Sequence, residues 1–274
     1  RPVASPSDAE LIVVNTCAFI EDAKRESVDA ILELTRGKTK KNGRGPTIVV
    51  AGCLPARYRD ELAREIPEVD AWVGVEAWDE IADVIGNRRE EAADSRGPRI
   101  GYDSRHPLFE DDGGRVSTKP YAYLKISDGC DHPCTFCAIP SFKGRHRSAD
   151  EDSLIREAED LIRRGAKEIV LVAQDSTLYG EDTVGGKGPE NLIRLIDRVA
   201  GAGAEWVRVL YAYPTRAHDV LLDRLAAGRG AAPYIDMPFQ HASPAVLRAM
   251  KRGGSPEYFL ERIRSARRRD ADFA

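Results

Sequence analysis

Apolar runs of strand length alternate with helical periods along most of the chain, and this alternation limits the fold more than any other feature. Residues 11–16 (LIVVNT) and 47–51 (TIVVA) are continuous apolar runs, the pattern of strands buried on both faces of a parallel sheet. Residues 21–35 follow the first run, with Ala23, Val28, Ile31 and Leu32 at near-helical spacing among charges. A helix around residues 59–66 follows the second and is ended by Pro67. A strand at 71–75 and a helix at 79–85, capped by Asp79 and stopped at Gly86-Asn87, repeat the unit. Strand, helix, strand in this order requires a parallel sheet with crossover helices.

The pattern dissolves over residues 88–118, which are rich in charge, glycine and proline and read as a linker. It resumes with a strand at 121–127, a Ser148-x-x-Glu151 capping box and a helix at 153–164 closed by Gly165. Strands at 168–173, 206–212 and 234–237 then alternate with helices at 190–199, 218–227, 244–250 and 256–268. The expected fold class is α/β: an N-terminal α/β domain over 1–87, a linker over 88–118, and an incomplete (β/α) barrel over 119–274. About four strands are too few to close a barrel.

The 42% apolar content excludes intrinsic disorder, and no apolar run approaches the roughly 20 residues that cross hydrocarbon. Neither a membrane partner nor a secretory leader is expected. A net charge of −4 leaves no strong nucleic-acid footprint, and the basic stretches at 38–44 and 262–269 read as solvated faces. The chain starts at Arg1, so its natural beginning is expected to lie upstream.

Five cysteines, an odd and clustered set, argue for metal or redox chemistry in a reducing, cytoplasmic compartment rather than a disulfide framework. Cys130, Cys134 and Cys137 are spaced CxxxCxxC just past a strand, at the end of a βα array where active sites sit. Three thiolates are too few for a closed structural site, but on a cuboidal four-iron cluster they leave one iron open to a ligand. Zinc with His132 or His146 as a fourth ligand is the plainer alternative. Cys17 and Cys53 each follow a strand, in VVNTC and VVAGC, which puts both on one sheet rim as candidate metal ligands short of a full set.

Residues 121–147 (YAYLKISDGCDHPCTFCAIPSFKGRHR) resemble the cluster-binding segment of the radical S-adenosylmethionine superfamily. Coupled to the NTC and AGC segments upstream, they resemble its methylthiotransferase branch. VNTCAFIEDAKRESVDA, QDSTLYG and YIDMPFQHASPAVLRAMKRGGS are most similar to the RimO-type members, which act on an aspartate β-carbon of the twelfth small-subunit ribosomal protein. The resemblance implies that Cys130, Cys134 and Cys137 hold a 4Fe-4S cluster binding S-adenosylmethionine, whose reductive cleavage yields a 5′-deoxyadenosyl radical. It implies a second 4Fe-4S cluster on Cys17 and Cys53, whose third ligand would precede Arg1. The implied partners are the ribosomal protein, an electron donor and a sulfur source. Further barrel strands and a small β domain, called TRAM, would follow residue 274.

Phe136, pinned between two ligands, is placed to pack on the adenine, and Gln174, Asp175 and Gln240 lie on the rim as candidate cofactor contacts. For Asp175 the alternative is a cap on the next turn. No catalytic side chain is assigned. Lys143, Arg145 and Arg147 follow the cysteine loop as candidate contacts to an acidic substrate. Two other functions stay open at this point: a tRNA adenosine methylthiotransferase, and a non-enzymatic iron–sulfur electron carrier.

Overall fold

The computed structural model describes residues 3–36, 45–75, 77, 120–183 and 188–274. These fall into two compact units, one built on the segment before residue 78 and one on the segment after 119. The expected helix at 79–85, the linker at 88–118 and the basic stretch at 38–44 lie outside the described residues.

In the first unit, β1 (Leu11–Thr16), β2 (Thr47–Gly52) and β3 (Ala71–Gly74) pair in parallel in the order β1-β2-β3. Helices α1 (Glu21–Arg36) and α2 (Cys53–Glu65) connect them. β2 is central and buried from Ile48 onward. Its side chains alternate: Ile48 and Val50 pack with Ile31, Leu54, Ile66 and Val69, whereas Val49 and Ala51 pack with Val73. β1 departs from the expected two buried faces, since Val13 is 43% exposed. β1 is an edge strand among the described strands, which opens a backbone flank rather than a side-chain face. α2 also starts earlier than its apolar pattern suggests, at Cys53 itself, because Gly52 turns the chain with φ 109°.

In the second unit, β4 (Tyr121–Lys125), β7 (Glu168–Val172) and β8 (Trp206–Val209) form a parallel sheet in the order β4-β7-β8. The short strands β5 (Ser127–Asp128) and β6 (Arg147–Ser148) pair antiparallel beyond the end of β4. Helices α3 (Glu151–Arg163), α4 (Glu190–Gly201), α5 (Asp219–Ala226), α6 (Pro244–Ala249) and α7 (Pro256–Arg269) follow in turn. Leu192, Leu195, Ile196 and Val199 of α4 recur at i, i+3, i+4 and i+7, the spacing that keeps one helical face on a core. With Leu124, Ile169, Leu171, Val207 and Val209 from the strands and Leu221, Leu222 and Leu225 from α5, they form one continuous apolar core.

Two local expectations are corrected. α3 is capped by Asp150, whose carboxylate accepts from the Ser153 N–H at 2.9 Å. Ser148 is withdrawn from that role because its Oγ donates to Asp182 (2.6 Å) and accepts from the Gly180 N–H (2.7 Å). Residues 234–237 do not form a strand. Only Ala231 bridges Val207 in parallel; beyond Pro233 the Tyr234 N–H turns back to Ala232 O and the Ile235 N–H to Ala274 O. Proline offers no N–H to a ladder, and Pro233 interrupts the pairing there.

Candidate functional site

The cysteine loop leaves the C-terminal end of β4 through β5 and returns through β6. Gly129 opens it at φ +76°, and a Cβ at this position would lie 2.1 Å from Arg145 O, so both the conformation and the space call for glycine. The Cys130 N–H donates to Gly144 O (3.2 Å), and the Cys137 N–H donates to Cys134 O (3.1 Å), closing a tight turn between two thiols. Thr135 ties the loop to the end of α6: its N–H donates to Met250 O (3.1 Å) and its Oγ1 to Ala249 O (3.0 Å). These carbonyls are among those an α-helix leaves without internal partners.

All three thiols are half-buried. Burial pushes the Cys130 thiol up to about 11; the Asp175 carboxylate and the other two thiols add to the shift, and an N–H from His132 opposes it. Among the described residues, no three His, Cys, Asp or Glu side chains form a group that could hold a metal ion together. Each histidine considered as a fourth ligand has Nε2 engaged, while His146 Nδ1 is buried without a hydrogen-bond partner. His132 Nε2 is 2.6 Å from Asp175 Oδ2, and His146 Nε2 is 3.2 Å from Ser148 Oγ. A cuboidal cluster takes one thiolate per iron, so it does not require three sulfurs to meet at one point.

Around the loop the structure assembles a network that sequence reasoning missed. Asp175, 1% exposed, accepts from Thr177 N–H (2.9 Å) and Oγ1 (2.5 Å) as well as facing His132. It therefore does cap the turn after β7, and it also holds a histidine of the cysteine loop. The His132 ring stacks on Tyr213 with centroids 3.8 Å apart. Arg252 lies over the same tyrosine at 4.4 Å and places Nη1 3.5 Å from Cys134 Sγ. The one signal available beforehand was that Arg252 belongs to the segment carrying the family resemblance.

The other anticipated contacts divide. Gln174 Oε1 is buried without a hydrogen-bond partner, as is Ser127 Oγ past the end of β4, so the strand ends carry polar atoms that a polar ligand would satisfy. Phe136 is 49% exposed and unstacked among the described aromatic rings. Gln240 is exposed at φ 70° and lines a groove together with Phe239, His241 and Phe259. Arg145 pairs loosely with Asp131 (3.5 Å), which offsets part of the basic stretch after the loop.

In the first unit the register sets Thr16 opposite Gly52, so Cys17 and Cys53 leave adjacent strands at the same level. The Cys17 N–H donates to Ser27 Oγ (3.2 Å), and Ser27 Oγ donates to Ala23 O (2.8 Å), fastening the loop after β1 onto α1. A Cβ on Gly52 would lie 2.5 Å from Thr16 O, so the two strand ends approach as closely as glycine permits.

An α/β unit followed by a partial βα barrel with three cysteines at the mouth of its first strand defines a class. Residues 124–272 match the radical SAM superfamily, and the chain belongs to it. Residues 1–74 match an uncharacterized protein family, UPF0004. Among individual proteins, the chain is 44% identical to the ribosomal protein uS12 methylthiotransferase RimO of Solibacter usitatus, over 96% of this chain and 55% of that protein. It is 42% identical to the protein of the same name from Moorella thermoacetica, over 97% of this chain and 59% of that one. The chain thus spans a little over half the length of these relatives. The fold is shared with the radical S-adenosylmethionine methyltransferase TsrM of Kitasatospora setae, with a TM-score of 0.64 at 16% identity, covering 89% of this chain and 51% of that one. No helix among the described residues is long and apolar enough to cross a membrane.

Proposed function

We propose that this chain is the catalytic portion of a cytoplasmic methylthiotransferase that modifies an aspartate β-carbon on ribosomal protein uS12. The observation that carries the reading is the 44% identity to a uS12 methylthiotransferase across both units, including the segment with Cys130, Cys134 and Cys137. The domain division proposed here is the one read from the strand–helix pattern and the composition of the sequence, 1–87, 88–118 and 119–274. An electron donor and a sulfur source are required partners of that chemistry.

In this reading Cys130, Cys134 and Cys137 hold a 4Fe-4S cluster, which when bound with S-adenosylmethionine supplies the electron for cofactor cleavage. Cys17 and Cys53 are two ligands of a second cluster. The remaining work falls to the chain's own residues. The Gly129 turn and the Thr135 bonds to α6 hold the cysteine loop in one geometry, which fixes where a bound cofactor sits. Gln174 offers its unpartnered buried Oε1 to a cofactor N–H. Asp175 orients His132 and thereby the wall of the site. Phe136 presents an exposed ring to a flat ligand such as adenine, and Gln240 offers an amide at the outer edge.

The test is anaerobic reconstitution of the full-length protein with iron and sulfide, followed by incubation with S-adenosylmethionine, reductant and either uS12 or tRNA. Release of 5′-deoxyadenosine with methylthiolated aspartate in uS12 is the expected result. Modified adenosine in tRNA would replace the substrate assignment. Absence of cofactor cleavage with either partner would refute the enzyme.

A further inference from the structure

Arg252 stands 118 residues from Cys134 in sequence and yet reaches its sulfur. The path begins in the backbone. Lys251 takes φ 52°, and the Arg252 N–H closes the end of α6 on Leu247 O at 2.9 Å, a turn that fixes where the side chain starts. The same turn offers the Ala249 and Met250 carbonyls to Thr135, so it grips the cysteine loop at two adjacent residues, Cys134 and Thr135. The guanidinium is then held on three sides. Nη2 donates to Pro238 O (2.9 Å), the plane rests on the Tyr213 ring, and Nη1 points to Cys134 Sγ. Tyr213 is itself backed by His132, and His132 by buried Asp175.

We propose that Arg252 is a positioning residue of the cysteine loop, a fixed cation whose hydrogen bond to Cys134 Sγ raises the reduction potential of the iron–sulfur group held there. The inference rests on the cluster reading of Cys130, Cys134 and Cys137 above. A ligating sulfur gains negative charge when its cluster is reduced, so a donor aimed at that sulfur favours the reduced form. Arginine suits the task because its charge is permanent and its planar fork serves a carbonyl, a ring face and a sulfur at once.

The test is an EPR-monitored redox titration of the full-length reconstituted protein in a C17A/C53A background, so that one cluster reports. In R252Q the ratio of reduced to oxidised cluster at fixed potential should fall about tenfold, equivalent to ~59 mV for one electron. R252K keeps the charge but not the fork and should fall between R252Q and the parent. Equal midpoints in R252Q and the parent overturn the proposal. If R252Q takes up no iron, the R252K comparison decides, and equality there overturns it too. A parent that takes up no iron, or a C130A/C134A/C137A protein that takes up as much as the parent, overturns the cluster reading and the proposal with it. That outcome shows in iron content rather than in potential.

Discussion

Two glycines in the cysteine loop separate backbone strain from steric exclusion. Gly129 and Gly144 both lie at positive φ, +76° and +72°, but their surroundings differ. A Cβ on Gly144 meets nothing within 4 Å, whereas one on Gly129 would lie 2.1 Å from Arg145 O and 2.8 Å from Gly144 O. Gly144→Ala should therefore cost only the left-handed conformation, about 1 kcal/mol. Gly129→Ala bears that cost and must also displace backbone, which adds roughly 1–3 kcal/mol of overpacking. The displaced strand carries the bond from the Cys130 N–H to Gly144 O, so the position of the first thiol shifts with it. Hydrogen exchange of peptides covering residues 121–137, read by mass spectrometry, reports the local opening free energy in each variant. The larger loss should appear in Gly129→Ala, together with reduced iron and labile sulfide after reconstitution. Equal protection and equal iron in the two variants would refute the argument.

Other consequences can be checked separately. In iron-free protein at pH 8, Cys130 should react with iodoacetamide about 10-fold more slowly than an ordinary thiol: a pKa raised from 9.0 to about 11 cuts the thiolate fraction about 100-fold, and the greater nucleophilicity of the more basic thiolate offsets roughly tenfold of that. A rate at pH 8 matching that of free cysteine would contradict the burial argument. Ser148→Ala should cost roughly 1–3 kcal/mol in denaturant unfolding, since it strands the Gly180 N–H and removes a donor from Asp182. A loss within 0.5 kcal/mol would show that the serine is not the tie it appears in the geometry. Glu151 is held below the usual carboxylate range by its hydrogen bond from Arg194, aided by Arg198, so it stabilises the fold above its unfolded pKa and loses that contribution as pH falls. The stability gap between the parent and Glu151→Gln should therefore narrow as pH drops through the acid range. A gap that is constant with pH would assign the pair no electrostatic role.

Much of the architecture was legible because it is written locally. LIVVNT, TIVVA and EIVLV hold enough contiguous apolar side chains to dictate strands, and α4 shows its buried face in the spacing of Leu192, Leu195, Ile196 and Val199. The CxxxCxxC spacing likewise marks its loop by itself, since neighbouring thiols in one short segment need no distant partner to be recognised.

What escaped the sequence depends on which distant segment arrives at a given atom. That Asp150 rather than the expected Ser148 caps α3 depends on Asp182 and Gly180 engaging the serine, and the exposure of Val13 on β1 depends on what packs over that face of the sheet. Arg252 reads in sequence as one more basic residue after a short helix. Only the packing of α6 against the cysteine loop turns it toward Cys134, because a hydrogen bond depends on separation in space and not on separation along the chain.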